Sequence, residues 1–112
     1  MRKLLFVIAA ALCLASCGQS DEEKAMTKAV HQKYKEGQIE ADMAVPFNIL
    51  NLSVKSRKAS GDTVRYKVEF DIQEMHPSRR YYYEGHTEIT QVKGGRYSVG
   101  HLYYHENSKL NR

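Results

Sequence analysis

The chain has 112 residues, with 17 basic and 13 acidic side chains and a formal net charge of +4. This small excess of positive charge does not predict nucleic-acid binding, and the length suits a single domain with one modest core. Both cysteines, Cys13 and Cys17, lie near the N-terminus. The rest of the chain must therefore be held by its core without a disulfide bond.

The N-terminus has the pattern of a targeting segment. Arg2 and Lys3 are followed by an apolar run at 4–15 that contains no charged residue and no proline. The run is too short for a transmembrane helix, which needs about 20 apolar residues. A short basic region before a short apolar one is typical of a secretory signal peptide.

The end of this segment reads Leu14-Ala15-Ser16-Cys17. It resembles the lipobox of bacterial lipoproteins, in which an aliphatic and two small residues precede the cysteine that is acylated. The resemblance implies a cleaved signal peptide at 1–16, a lipid-anchored tether at 17–20 and one domain at 21–112. It also implies a membrane location facing the periplasm, and Gly18 after the cysteine favours the outer membrane. The alternative is an ordinary secretory signal that ends in an incidental cysteine.

The first element of the mature chain is predicted to be a helix. Ser20, followed three residues later by Glu23, forms a capping-box pattern. Apolar residues then recur at helical spacing, which predicts one buried face, and Gly37 is expected to end the helix. The residues of this apolar face are Ala25, Met26, Ala29, Val30 and Tyr34.

From Val45 onward the apolar residues alternate with polar ones, which predicts strands. Turn signals at 60–62, 76–78 and 94–95 divide this part of the chain into four strands, and such short connections require antiparallel neighbours. We therefore expect an α+β fold, with one N-terminal helix packed on a four-stranded antiparallel meander. The core-facing positions of the second strand are Val64, Tyr66, Val68, Phe70 and Ile72.

The Gly94-Gly95 pair predicts a two-residue hairpin loop, which makes the numbers of facing residues sum to 189. The helix-facing side then pairs Gly85 with Tyr104, Thr87 with Leu102, and Ile89 with Gly100. The opposite face pairs Glu84 with His105, His86 with Tyr103, and Glu88 with His101. Imidazole and carboxylate groups are zinc ligands, so this face is a weak candidate metal site, with cross-strand pairing as the alternative.

A second candidate surface is basic. Alternation places Lys55, Arg57, Arg65 and Lys67 on the outer face of the first two strands, and the expected register sets Lys55 against Lys67 and Arg57 against Arg65. Like charges that face each other are unfavourable, which points to an anionic partner, while the alternative is an ordinary solvated face. Further cations that could extend the surface are Lys58, Arg79 and Arg80, the last two beside Tyr81-Tyr82-Tyr83.

The sequence contains no nucleophile elbow or metal-binding helix motif, so we expect no enzymatic activity and no cofactor. The order of one helix and then a meander loosely resembles cystatin-like and nuclear-transport-factor-like folds over 21–105. The inhibitory Gln-Val-Gly loop of cystatins is interrupted here, since Gln91-Val92 is followed by Lys93.

Three functions remain as hypotheses. The chain is expected to be a non-catalytic module that binds an envelope protein or an anionic envelope component. The alternatives are an inhibitor or immunity-type protein against an exported hydrolase or toxin, and a metal-binding protein that uses His86, His101 and His105. The oligomeric state is left open.

Overall fold

The computed structural model describes residues 19–111 and shows an α+β fold. One helix packs on one face of an antiparallel sheet whose strands follow in meander order, with a fifth short strand added. The predicted fold class is confirmed. The predicted signal peptide at 1–16 and the predicted anchor residue Cys17 lie outside the described residues. The elements are α1 (Asp21–Glu40), β1 (Phe47–Ser60), β2 (Thr63–Met75), β3 (Arg80–Val92), β4 (Tyr97–Val99) and β5 (Tyr103–Glu106).

Helix α1 begins as the sequence predicts. Ser20 is the N-cap, and its hydroxyl oxygen accepts a hydrogen bond from the Glu23 amide at 3.1 Å, while the Glu23 carboxylate accepts one from the Ser20 amide at 3.1 Å. The predicted end at Gly37 is wrong, because the helix continues to Glu40. Gln38 is buried in this last turn and holds it against the sheet, so tertiary contact overrides the weak helix preference of glycine.

The core lies between α1 and the sheet. The residues that α1 buries are four apart, which places them on one face of the helix. Five side chains of β2 alternate toward the same core, as predicted from the period of two. The buried apolar residues are Met26, Val30, Tyr34, Phe47, Ile49, Leu52, Tyr66, Val68, Phe70, Ile72 and Ile89.

Strand β1 departs from the predicted register because it contains two irregularities, one between Leu50 and Ser53 and the other between Val54 and Ser56. Asn51 adopts a positive φ of 57° at the first. Each bulge adds a residue to one strand and so changes which face the following side chains point to.

The last hairpin also differs from its predicted register. Its loop has three residues rather than two. Close to the loop, the numbers of facing residues therefore sum to 188 instead of 189, with Ile89 opposite Val99. Leu102 and Gly100 therefore do not take the places predicted for them opposite Thr87 and Ile89, and His101 does not pair with Glu88. The chain between β4 and β5 restores the predicted register, so Gly85 faces Tyr104 as expected.

Candidate functional site

The helix covers one face of the sheet, and the other face is the candidate binding surface. We call it the outer face. On β2 and β3 its side chains alternate with those that point into the core, and most of them are exposed. Its charged and histidine residues, in chain order, are Lys55, Lys58, Arg65, Lys67, Glu69, Asp71, Arg80, Glu84, His86, Glu88 and His105.

Like charges meet on the outer face at two places. Lys58 lies directly opposite Arg65 near the β1–β2 turn. Asp71 lies directly opposite Glu84 farther along the β2–β3 ladder. Like charges facing each other across strands are destabilising, so neither pair is explained by the stability of the fold.

The prediction that Lys55 faces Lys67 and Arg57 faces Arg65 is wrong, because the bulges in β1 shift the register. Ser56 faces Lys67, and Arg57 faces Tyr66. Lys55 instead forms an ion pair with Glu69 on the outer face, with 3.7 Å between Nζ and Oε1.

Arg57 lies on the helix side and has a structural role there. Its guanidinium group forms an ion pair with Glu22 of α1 and lies 5.0 Å from the centre of the Tyr66 ring. The Tyr66 hydroxyl donates a hydrogen bond to the same Glu22 carboxylate at 3.2 Å. Arg57 therefore fastens the start of α1 to β1 and is not part of the outer face.

Arg79 and Arg80 also do not join the other cations. They lie at the turn between β2 and β3, at the opposite end of β2 from Arg65. Met75 lies ten residues farther along the strand than Arg65, which is about 33 Å. Arg79 stacks on Tyr81 and donates a hydrogen bond to the Asn111 carbonyl oxygen, so it holds the C-terminal segment in place.

The histidines of the predicted metal site do not converge. Within 19–111, no group of three or more His, Cys, Asp or Glu side chains is placed to hold a metal ion. The ring of Tyr103 lies between two of the histidines instead, stacked on His86 with 5.2 Å between ring centres and edge-on to His101 at 4.7 Å. The three-residue loop shifts the register by one, so Gly100 lies opposite Glu88, where its amide donates to the Glu88 carbonyl oxygen at 2.9 Å, and His101 does not.

A cleft that the sequence analysis missed lies between the C-terminal half of α1 and the β3–β5 pair. Its volume is about 890 Å³, and its lining includes Tyr34, Gln38, Glu74, Tyr83 and Tyr104. The residues that line it within the described chain include no serine, threonine or cysteine. The cleft therefore has no side-chain hydroxyl or thiol of those types to act as a nucleophile.

Glu74 is the polar centre beside this cleft. Its carboxylate accepts hydrogen bonds from the Tyr34 hydroxyl and, at 3.4 Å, from the Gln38 amide, and His76 Nε2 lies 3.0 Å from its other oxygen. Burial, followed by the hydrogen bond to Glu74, raises the pKa of Tyr34 well above its ordinary range. The even-numbered side chains of β2 point toward the helix, and Glu74 is the next even position after Ile72. The period of two could therefore have placed Glu74 on the helix side.

Comparison with protein families, curated proteins and solved structures finds no match for the chain. Among the described residues, no helix combines the length and the apolar character needed to cross a membrane.

Proposed function

We propose that the chain is a lipoprotein of the bacterial envelope, anchored through Cys17, and that the outer face of its sheet is a non-catalytic binding surface. The lipobox-like Leu14-Ala15-Ser16-Cys17 supports the anchor. The observation that carries the binding surface is the separation of charge on the uncovered face. Lys58, Arg65 and Lys67 lie toward one end, and carboxylates with two histidines lie farther along.

One feature favours binding over a merely solvated face. The like-charge pairs Lys58–Arg65 and Asp71–Glu84 each lie directly across a ladder, where ions of opposite sign from a partner would relieve the repulsion. The two pairs support recognition of a partner by charge complementarity.

The anchor is tested by labelling cells with a radioactive or clickable palmitate analogue. The wild-type protein should incorporate the label and partition with membranes, and Cys17→Ser should do neither. Unchanged labelling or membrane partition of Cys17→Ser would contradict the anchor.

The binding surface is tested by photo-crosslinking in living cells. A photoreactive residue at His86 or Glu88 on the outer face should crosslink to a discrete envelope component, and the same residue at Lys28 or Lys35 on the exposed side of α1 should not. The crosslink should be lost when Asp71 and Glu84 are both changed to lysine. Equal crosslinking from the helix positions would overturn the assignment of the surface.

A further inference from the structure

The cleft between α1 and the β3–β5 pair is lined by three tyrosines from three different elements. Tyr34 comes from α1, Tyr83 from β3 and Tyr104 from β5. The centre of the Tyr104 ring lies 5.5 Å from that of Tyr34, with 71° between the ring planes, and 5.8 Å from that of Tyr83, with 81° between the planes. The Tyr104 ring thus stands nearly perpendicular to both of the others, and the cleft has aromatic walls that meet at steep angles.

The three rings differ in how far the fold already uses them. Tyr34 is 6% exposed, Tyr83 is half-buried and Tyr104 is 49% exposed. Packing within the domain therefore occupies the Tyr34 ring almost completely, but it leaves much of the Tyr104 ring open to the solvent. An accessible aromatic ring in a cleft is available to a ligand.

A carboxylate lies beside Tyr34. Glu74 has only 13% of its side chain exposed, and it accepts hydrogen bonds from the Tyr34 hydroxyl and the Gln38 amide. Both donors are neutral, so they orient the carboxylate without cancelling its charge. His76 Nε2 lies 3.0 Å from the other carboxylate oxygen, and it balances the charge only when the imidazole is protonated.

The lining of the cleft is acidic. Among the described residues that line it, Glu36, Glu40 and Glu74 are carboxylates and Lys33 is a lysine. Three negative charges against one positive charge leave a net charge of −2 when the lining histidines are neutral, and protonation of His76 would still leave −1. The lining histidines are His76, His86, His101 and His105.

Charged residues next to the lining do not reverse this balance. The cations are Lys35, which follows Tyr34 in α1, and Arg79, whose carbonyl oxygen accepts a hydrogen bond from the His76 amide. The carboxylates that neighbour lining residues along the chain are Asp42, Glu84 and Glu106. Two further cations thus meet three further carboxylates, and the cleft keeps an excess of negative charge.

We infer that the cleft binds an organic ammonium group, carried by a free small molecule or by a lysine side chain, against the faces of its tyrosines. The face of an aromatic ring is negatively polarised and attracts such cations, most strongly where they are shielded from water. The carboxylates supply the opposite charge. A metal ion would instead need ligands that converge, and no group of three or more His, Cys, Asp or Glu side chains within 19–111 does so.

The size of the cleft adds a further property of the ligand. Its volume of about 890 Å³ is within the usual range of small-molecule sites and exceeds what one ammonium group fills. Met43, Val45 and Leu102 supply apolar surface in the same lining. The space beside the ammonium group therefore suits an apolar chain attached to it.

This site goes beyond the proposed function. It lies on the helix side of the sheet, and its contacts depend neither on an anchor at Cys17 nor on the outer face. Its test can therefore fail while both of those proposals stand.

The test uses the protein as cells produce it, purified in a non-ionic detergent at pH 8, where imidazole is ordinarily neutral. Saturation-transfer NMR, observed on the ligand signals, measures the affinity for choline and for 3,3-dimethylbutan-1-ol, a neutral molecule of the same shape. Nα-acetyl-lysine methylamide and Nα-acetyl-norleucine methylamide form the corresponding pair for a lysine side chain. Detergent micelles without protein give the background for each ligand.

We expect at least one ammonium ligand to bind about tenfold or more tightly than its neutral counterpart. Tyr104→Leu should weaken that binding by a similar factor, while Tyr104→Phe keeps the aromatic face and should bind as the wild type does. Glu74→Gln should also weaken it, and the matched control Asp62→Asn, which removes a carboxylate in the β1–β2 turn, should not. Circular dichroism checks the fold of each variant, and the exposed position of Tyr104 keeps the test decisive if Glu74→Gln does not fold.

Each outcome decides for or against the site. Equal affinity for the charged and the neutral member of both pairs overturns the inference, as does unchanged binding in Tyr104→Leu. Loss of binding in Tyr104→Phe also overturns it, because the hydroxyl and not the ring face would then hold the ligand. If binding requires both the charge and the ring, tighter binding of choline assigns the site to a free ammonium compound, and tighter binding of the lysine derivative assigns it to a protein side chain.

Discussion

Phe70 occupies the space that a side chain at position 85 would need. The two residues face each other across the β2–β3 ladder, and a Cβ atom built on Gly85 would lie 2.6 Å from Cε2 of the Phe70 ring. The ring is buried and belongs to the core, so it cannot swing away freely. The absence of a side chain at Gly85 is thus what lets an aromatic ring pack flat against β3.

We predict that Gly85→Ala lowers the free energy of unfolding by about 1 to 3 kcal/mol, the range usual for overpacking a core. Gly37→Ala is the control, because nothing lies within 4 Å of the added Cβ and the site is inside a helix. It should raise the free energy of unfolding by about 0.5 to 1 kcal/mol. Urea unfolding followed by circular dichroism measures the free energy of unfolding of both variants. An unchanged value for Gly85→Ala would contradict the close packing of Phe70 against Gly85.

Two adjacent basic residues of β1 should respond in opposite ways to substitution. Arg57→Ala removes the contacts with Glu22 and Tyr66 and should lower the free energy of unfolding by about 1 kcal/mol, since the ion pair is half exposed. Lys58→Ala removes a repulsion with Arg65 and should be neutral or stabilising by a few tenths of a kcal/mol. Thermal unfolding at low salt measures the stability of both variants. Equal losses of stability in Arg57→Ala and Lys58→Ala would contradict the assignment of the two side chains to opposite faces of the sheet.

Stability should fall in alkali because of Tyr34. Burial and the bond to Glu74 raise the pKa of Tyr34 above its ordinary value of 10.0, so the folded chain keeps a proton that the unfolded chain releases. The contribution is complete below pH 10 and decreases above it, by up to about 1.4 kcal/mol per pH unit. Burial also raises the pKa values of Tyr66 and Tyr83, which act in the same direction.

Tyr34→Phe should therefore unfold more easily than the wild type at pH 7 but lose less additional stability between pH 10 and 11. The exposed Tyr103 provides the control, and Tyr103→Phe should keep the wild-type slope. Denaturant titrations at four pH values measure how the free energy of unfolding changes with pH. A wild-type pH dependence in Tyr34→Phe would falsify the assignment of the alkaline loss to Tyr34.

The capping box should contribute measurably to the stability of the domain. Ser20→Ala removes the hydroxyl that accepts from the Glu23 amide and should cost about 1 kcal/mol. Ser20→Asp keeps an acceptor at the same position and should retain most of the stability. Hydrogen exchange at the first amides of α1 should rise in the alanine variant alone, and equal exchange in both variants would rule the cap out as the cause.

The core positions of a strand could be predicted from the sequence where its alternation of apolar and polar residues is uninterrupted. β2 has no bulge, so its alternation correctly placed Tyr66 and Ile72 in the core. In β1 the two bulges change the side of the following residues, and alternation alone could not show that Arg57 points toward the helix. The positive φ of Asn51 is a local backbone conformation that the apolar pattern does not encode.

The candidate site was predictable in part for the same reason. The predicted pairing of Glu84 with His105 is confirmed, because one extra residue between β4 and β5 cancels the one-residue shift at the turn. The predicted register close to the turn is wrong, because the loop contains Lys93 as well as Gly94 and Gly95. The cleft depends on how the helix lies across the sheet, and no periodicity along one strand reveals that.

The irregular course of β1 also affects how neighbouring molecules meet. Among the described residues β1 pairs with β2 alone, so its other side is a sheet edge of 14 residues. A long, flat edge readily recruits a strand from another molecule, but bulges and lysines make such pairing unfavourable. In the proposed anchored state, molecules would be crowded together in two dimensions. The bulges that move Arg57 to the helix side would then also protect against edge-to-edge aggregation.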